Sequence, residues 1–338
     1  MTKRQLNRRK LLVPVPVATL QGDTLNPVDL YLETAPENYV LYRSARIPLE
    51  PESLERLQER GVKTLYCRKK ESQAYYDYVE RNLQGIIAGD ELSGPEAGRI
   101  VYETASRTMA DLFENPRSGQ LQTRARRLAK ATVTALVRDP DTLWDMTAMA
   151  GHDYQTYTHC VNVSLFLAGA CQQILGIDDA DELEDISVGG VLHDIGKSKV
   201  PESILKKPGK LTDDEFQTIK EHPLSGLDLA RQHKLLSKTS ENVILRHHER
   251  KDGSGYPDGL GMEDLDDVAR LSTIVDVYDA LTTDRPYADA RTPYEALKLM
   301  MNQMEGHFDM SLLRRFVNFL GSEGPNSLAA AAPAPQPV

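Results

Sequence analysis

Apolar residues change their spacing near residue 90. Before that point they come in short runs. The segments LLVPVPVATL, VDLYLE and NYVLYR are β-prone and separated by turn residues, which predicts strands. PESLERLQERG then offers a helix start, Leu54 and Leu57 at helical spacing, and a glycine stop before a further strand, VKTLYC. SQAYYDYVERNL predicts a helix whose Tyr75, Tyr76 and Tyr78 pack this unit's own core. The expectation for residues 1–92 is therefore a small α+β unit. From about residue 95 the apolar positions recur at i, i+3 and i+4, first in EAGRIVYETASRTMADLF and LQTRARRLAKATVTALV, and the helical pattern runs on to about residue 320. We divide this part into a helical connector, 93–134, and an all-helical bundle, 135–321. The Ala/Pro-rich end, 322–338, has nothing to bury and is expected to be disordered. The fold class is mainly α behind a small α+β unit, with no internal repeat.

Composition narrows the function. The formal net charge is −10, which argues against binding nucleic-acid polymers or anionic membranes, so an anionic ligand needs a local basic cluster. No apolar run approaches the roughly 20 residues that span a bilayer. The opening MTKRQLNRRKLLVPVPVATL mimics an export signal, but prolines interrupt its apolar stretch and no clean cleavage site follows. Cys67, Cys160 and Cys171 have neither zinc-ligand nor redox spacing, which suits a reducing compartment. The expected setting is the cytoplasm.

The chemistry gathers in the helical half. Five of the eight histidines, His159, His193, His222, His247 and His248, fall on segments that read as different helices. In DELEDISVGGVLHDIGK, Leu183, Ile186, Gly190 and Val191 mark a buried face that His193 and Asp194 extend at its end. In ENVILRHHE, Val243 and Ile244 lead to His247 and His248 in the same way. Along VARLSTIVDVYDALTT, the small residues Ala269, Ser272, Ala280 and Thr283 leave room beside Asp276. A lone histidine on an apolar face is usually a satisfied core residue, and we read His152, His233 and His307 so. Two core-facing pairs of polar groups need a common partner, and imidazole with carboxylate suits iron, manganese or zinc. The absence of thiolate pairs argues against a structural zinc site.

The motifs HDIGK at 193–197, KEHPLSG at 220–226, HHE at 247–249, DGSGYP at 252–257 and DVYDALTTDRPY at 276–287 resemble an HD-GYP domain, the branch of the HD metal-dependent phosphohydrolases that cleaves cyclic di-GMP. The resemblance covers roughly residues 135–320. It implies metal ligation by His159, His193, Asp194, His222, His247, His248 and Asp276, with Asp194 bridging two ions. It implies that Lys197 holds a phosphate oxygen, that Tyr256 lines the substrate cleft with Gly253 and Gly255 allowing close approach, and that Asp279 and Arg285 contact the dinucleotide. Read alone, Arg285 also has a lesser reading, a surface salt bridge. Where the family carries a basic residue after RPY, this chain has Ala288, with Arg291 nearby.

Members of that family with three metals carry E-T-x-x-H before the first histidine. Here Gln155 takes the glutamate's place, and a neutral amide is a poor ligand for a divalent transition metal. The expectation is two divalent ions, iron or manganese, with Asp153 and Gln155 outside the ligand set. The implied activity is metal-dependent hydrolysis of cyclic di-GMP to linear pGpG, or onward to GMP. Two other readings stay open: a non-catalytic module that binds the dinucleotide, and a phosphohydrolase of another nucleotide such as cyclic GMP–AMP or a guanosine polyphosphate. The N-terminal unit lacks the acidic cluster of a receiver domain. We expect it to sense a ligand, pair with a second copy of the chain, or meet a signalling partner.

Overall fold

The computed structural model describes residues 11–89, 92–117, 119–148, 156–231, 236–284 and 290–322. The chain divides into two compact units, Met1–Ser93 and Gly94–Val338.

In the first unit, strands β1 (Leu12–Pro16), β2 (Leu30–Ala35), β3 (Asn38–Arg43) and β4 (Thr64–Arg68) form an antiparallel sheet in the order β1-β4-β2-β3. Helix α1 (Pro51–Glu59) precedes β4 and α2 (Ser72–Ala88) follows it. Side chains alternate across a strand, so β4 buries Leu65 and Cys67 and leaves Arg68 exposed. Val15, Leu30, Leu54, Leu57, Leu83 and Ile87 complete the core. Tyr75 and Tyr78 of α2 are buried in this unit, as expected, while Tyr76, expected with them, is only half-buried. Each tyrosine hydroxyl is also hydrogen-bonded, Tyr75 to Thr19 at 2.8 Å and Tyr78 to the Gln21 amide at 2.9 Å.

Among its described residues, the regular elements of the second unit are all helical. Its elements are α3 (Gly94–Glu114), α4 (Leu121–Arg138), α5 (Thr142–Ala148), α6 (Thr156–Ala170), a π-turn at Cys171–Leu175, α7 (Ala180–Leu192), α8 (Glu202–Leu205), α9 (Asp213–Lys220), α10 (His222–Arg231), α11 (Lys238–Arg246), α12 (Asp267–Thr282), α13 (Pro293–Gln303) and α14 (Met310–Ser322). Helix α7 is the hub, packed by α4, α6 and α11, while α12 packs on α6. The pair Gly189–Gly190 makes this possible. A Cβ on Gly190 would lie 2.7 Å from the Ser164 Cα of α6, and one on Gly189 would lie 2.7 Å from the Val243 Cβ of α11. Both ligand-bearing neighbours thus approach the backbone of α7. Helix α6 is buried on every side from His159 to Ala170, so it has no polar face for a pattern to reveal.

Helices α3 and α4, read from sequence as a connector, lie in the same unit as the histidines and pack on α6 and α7. The tail beyond residue 322, the segment holding Asp153 and Gln155, His152, His233, and Arg285 with Ala288 all lie outside the described residues.

Candidate metal centre

Helix ends supply most of the cluster. His159 sits in the first turn of α6, His193 caps the end of α7, and Asp194 begins the 3₁₀ turn Ile195–Lys199. His222 opens α10 one residue after α9 ends, and His247 caps α11 with His248 next to it. Asp276 lies within α12. Gly196 brings the first group to the second, because a Cβ there would collide with the His222 carbonyl.

The last carbonyls of a helix lack intrahelical partners. Three of the histidines use them. His193 Nδ1 donates to the Gly190 carbonyl at 2.7 Å, His222 Nδ1 to Ile219 at 2.7 Å, and His247 Nδ1 to Ile244 at 2.9 Å. A carbonyl can only accept, so each Nδ1 carries the hydrogen and each neutral ring presents a bare Nε2 lone pair to the interior. His159 follows the same rule through a carboxylate, with Nδ1 lying 2.6 Å from Asp279 Oδ2.

Those lone pairs face one another. His193 Nε2 stands 3.2 Å from His159 Nε2, and His222 Nε2 stands 3.1 Å from His247 Nε2. His159 Nε2 is also 3.0 Å from Asp276 Oδ1. Asp194 Oδ1 is buried without a hydrogen bond and lies 3.2 Å from His222 Nε2. Acceptors cannot meet acceptors at these distances unless something positive lies between them. Protonating the rings is opposed by their surroundings: burial lowers the pKa of His193 and pushes that of His247 well below its usual range. His248 is lowered by burial as well, although 23% of its side chain still reaches solvent. Burial alone would raise Asp194, but the Lys197 ammonium at 2.5 Å outweighs it and holds the carboxyl well below the ordinary carboxylate range. Neutral imidazoles and ionised carboxylates around an acceptor-lined interior fit divalent cations. Two sets of ligand atoms are close enough to hold one: His159, His193 and Asp194, and Asp194, His222, His247 and His248. Asp194 belongs to both.

Two further residues expected at the substrate also have close partners within the chain. Asp279, expected to touch the dinucleotide, is buried behind His159 and accepts from Asn162 Nδ2 at 2.9 Å as well. Gly255, expected to let a ligand close, makes its close approach to its own chain: a Cβ there would lie 2.5 Å from Glu249 Cα and 2.6 Å from the His248 carbonyl. Tyr256 borders the cluster, its ring 4.7 Å from that of His248 and its amide bonded to the His248 carbonyl at 3.2 Å.

Sequence reasoning missed Glu249, the third residue of HHE. It is buried, and its two carboxylate oxygens accept from the Asp258 amide at 2.8 Å and the Leu260 amide at 3.0 Å, so it holds the glycine-rich loop. Its position beside two ligands was the available signal. Asn162 was missed too. It lies three residues after His159 on the same helix, which was a usable hint.

The family model of the HD domain matches residues 114–312. The chain belongs to the HD domain family. Among curated relatives of this HD-domain chain, a cyclic di-GMP phosphodiesterase of Pseudomonas aeruginosa is 32% identical over 281 residues, which is 79% of this chain and 67% of the relative. A cyclic di-GMP phosphodiesterase response regulator of Xanthomonas campestris is 42% identical over 145 residues, 42% of this chain and 38% of that protein. A 3′3′-cGAMP-specific phosphodiesterase of Vibrio cholerae is 28% identical over 305 residues, 88% of this chain and 55% of the relative. The chain thus spans well under two thirds of the latter two. The solved structure of an HDG"Y"P protein from Bdellovibrio bacteriovorus shares the fold, with a TM-score of 0.63 at 23% identity over 92% of this chain and 100% of that one. Among the described residues, no helix of the protein is long and apolar enough to cross a membrane.

Proposed function

We propose that this protein hydrolyses cyclic di-GMP to linear pGpG. The observation that carries the reading is the pair of acceptor-lined ligand sets joined at Asp194. His159, His193 and Asp194 would hold one divalent ion, and Asp194, His222, His247 and His248 a second, with Asp276 beside both; iron or manganese suits this imidazole–carboxylate mixture. When bound, such ions supply positive charge to the phosphodiester and lower the pKa of water towards neutrality.

The chain's own residues do the rest. Lys197 stands at the rim with 19% of its side chain exposed, placed to give its ammonium to a phosphate oxygen. Tyr256 offers a ring beside His248 for a nucleobase to lie against. Hydrolysis adds one water across a P–O3′ bond, with the hydroxyl going to phosphorus and the proton to the departing O3′. The ring opens to the linear dinucleotide. The three cysteines are free and buried, which fits a reducing cytoplasm. The N-terminal unit takes the regulatory part, through a small ligand, a second copy of the chain or a signalling partner.

The test is to incubate metal-loaded protein with cyclic di-GMP, 3′3′-cyclic GMP–AMP and a guanosine polyphosphate, and to follow linear product by chromatography. The second reading is a preference for the mixed dinucleotide. It is supported by the cGAMP-specific relative that aligns over 88% of this chain. Faster cleavage of the mixed ring would establish that reading over the first. Binding of a ring without any product would leave a dinucleotide-sensing module.

A further inference from the structure

One chain of buried hydrogen bonds runs away from the cluster and ends on a helix that supplies no ligand. Tyr102 of α3 donates its hydroxyl to Asn162 Oδ1 at 3.0 Å. Asn162 of α6 donates Nδ2 to Asp279 Oδ1 at 2.9 Å. The other oxygen of Asp279, on α12, accepts from His159 Nδ1 at 2.6 Å. We infer that Tyr102, Asn162 and Asp279 form a positioning relay that fixes the tautomer of His159 and ties this ligand to α3, the first helix of its unit. The inference rests on the metal-centre reading given above.

The polarity of the chain allows only one arrangement. Turning the Asn162 amide over would set its oxygen against the Asp279 carboxylate, two acceptors in contact. The tyrosine hydroxyl, by donating to Oδ1, holds the amide nitrogen on Asp279. A carboxylate gripped in this way accepts the Nδ1 hydrogen of His159, so the Nε2 lone pair is the one that faces Asp276 and His193. Tyr102, Asn162, Asp279 and His159 are all buried. Apolar residues would fill the same space without the desolvation cost of four polar groups. His193 and His247 take their tautomer from carbonyls at the ends of their own helices, and His222 from the Ile219 carbonyl at the end of the preceding helix α9. His159 Nδ1 instead meets a carboxylate from another helix, Asp279 of α12, and the relay holds that carboxylate in place.

Partners of this kind raise the basicity of a ligating imidazole and hold its ring, and their loss costs about 10–100-fold in metal affinity. The experiment strips metal from the full-length protein, titrates it with Mn²⁺ by calorimetry, and records the Nδ1–H resonances after histidine-selective ¹⁵N labelling. His159→Gln identifies the His159 signal by its loss. Asp279→Asn is expected to weaken Mn²⁺ binding about 10–100-fold. Tyr102→Phe keeps the ring and removes one neutral hydrogen bond; it is expected to weaken binding about fivefold and to move the His159 Nδ1–H signal upfield. Unchanged Mn²⁺ affinity together with an unmoved signal in Tyr102→Phe would overturn the relay, whatever became of the asparagine variant. A wild-type protein that binds no Mn²⁺ would overturn the metal-centre reading instead, and the resonance would still decide the relay.

Discussion

Thr19, Tyr75 and Tyr78 in the N-terminal unit and His193, His222 and His247 in the helical unit are all polar side chains taken out of water. In the first group, donors meet acceptors. Thr19 donates to the Pro16 carbonyl at 2.7 Å, which leaves its oxygen to accept from Tyr75, while Tyr78 accepts from the Gln21 amide. In the second group, the donors are consumed by helix-end carbonyls and acceptors are left facing acceptors at 3.1–3.2 Å. Polar burial alone therefore does not mark a site. Mismatched polarity does, because only a further cation makes it stable.

The largest effect should come from removing a ligand of the centre. His193→Ala or Asp194→Ala deletes a donor from one or both ion sites, and turnover is expected to fall by at least about a thousandfold, the worth of several kcal/mol of charge stabilisation. Elemental analysis of the purified variants should show metal lost along with activity. Full occupancy with normal hydrolysis would break the contrast between the units. Lys197→Ala sharpens it: metal should stay bound while most activity goes.

Acid should separate the units next. His193 and His247 have pKa values lowered by burial, so between the folded and the unfolded values only the unfolded chain takes up protons. In metal-free protein their contribution to stability is complete above the unfolded value, about 6.5. It is lost as pH falls below that, at up to about 1.4 kcal/mol per histidine per pH unit. The N-terminal unit contains no histidine. Hydrogen exchange on chelator-treated full-length protein at pH 7 and pH 5.5 should show the helical unit loosening and residues 11–89 unaltered, and Mn²⁺ at pH 7 should protect the helical unit alone. Equal loosening of both units would remove the histidines from the explanation.

Much of this was legible because it is local. Strand alternation, the Pro51 helix start and the tyrosine spacing mark the N-terminal elements, and adjacent pairs such as His193–Asp194 announce themselves. The rest is not local. Tyr102 reaches Asn162 across 60 positions, and Asn162 reaches Asp279 across 117, so no window of sequence contains the relay. Helix α6 is buried all round, which erases the amphipathic signal that would have shown where Asn162 faces. Asp279 lies one turn after Asp276 on α12, and that spacing gives a shared face without naming the partner. Gly255 shows a need for close approach, but only coordinates show that the other party is the chain's own backbone.

A smaller effect tests the loop. Glu249 accepts two backbone amides, from Asp258 and Leu260. Glu249→Gln would turn one acceptor into a donor facing an N–H. The loss of about one hydrogen bond should loosen the segment bearing Tyr256 and raise KM roughly tenfold, with metal content kept. A fall in kcat at constant KM, or metal loss, would place Glu249 within the centre itself.

The smallest effect belongs to the closed network of the N-terminal unit. Tyr75→Phe removes a hydroxyl that donates to Thr19, but Thr19 retains its own donation to Pro16, so no buried donor is orphaned. The cost should be about 1 kcal/mol or less, read as a small shift in the denaturant midpoint for exchange within residues 11–89. Metal stoichiometry should be unchanged, because a satisfied pair holds nothing in reserve for a ligand. A loss of several kcal/mol, or any change in bound metal, would show that the tyrosine network does more than complete its own core, and the contrast drawn between the two units would fail at its quieter end.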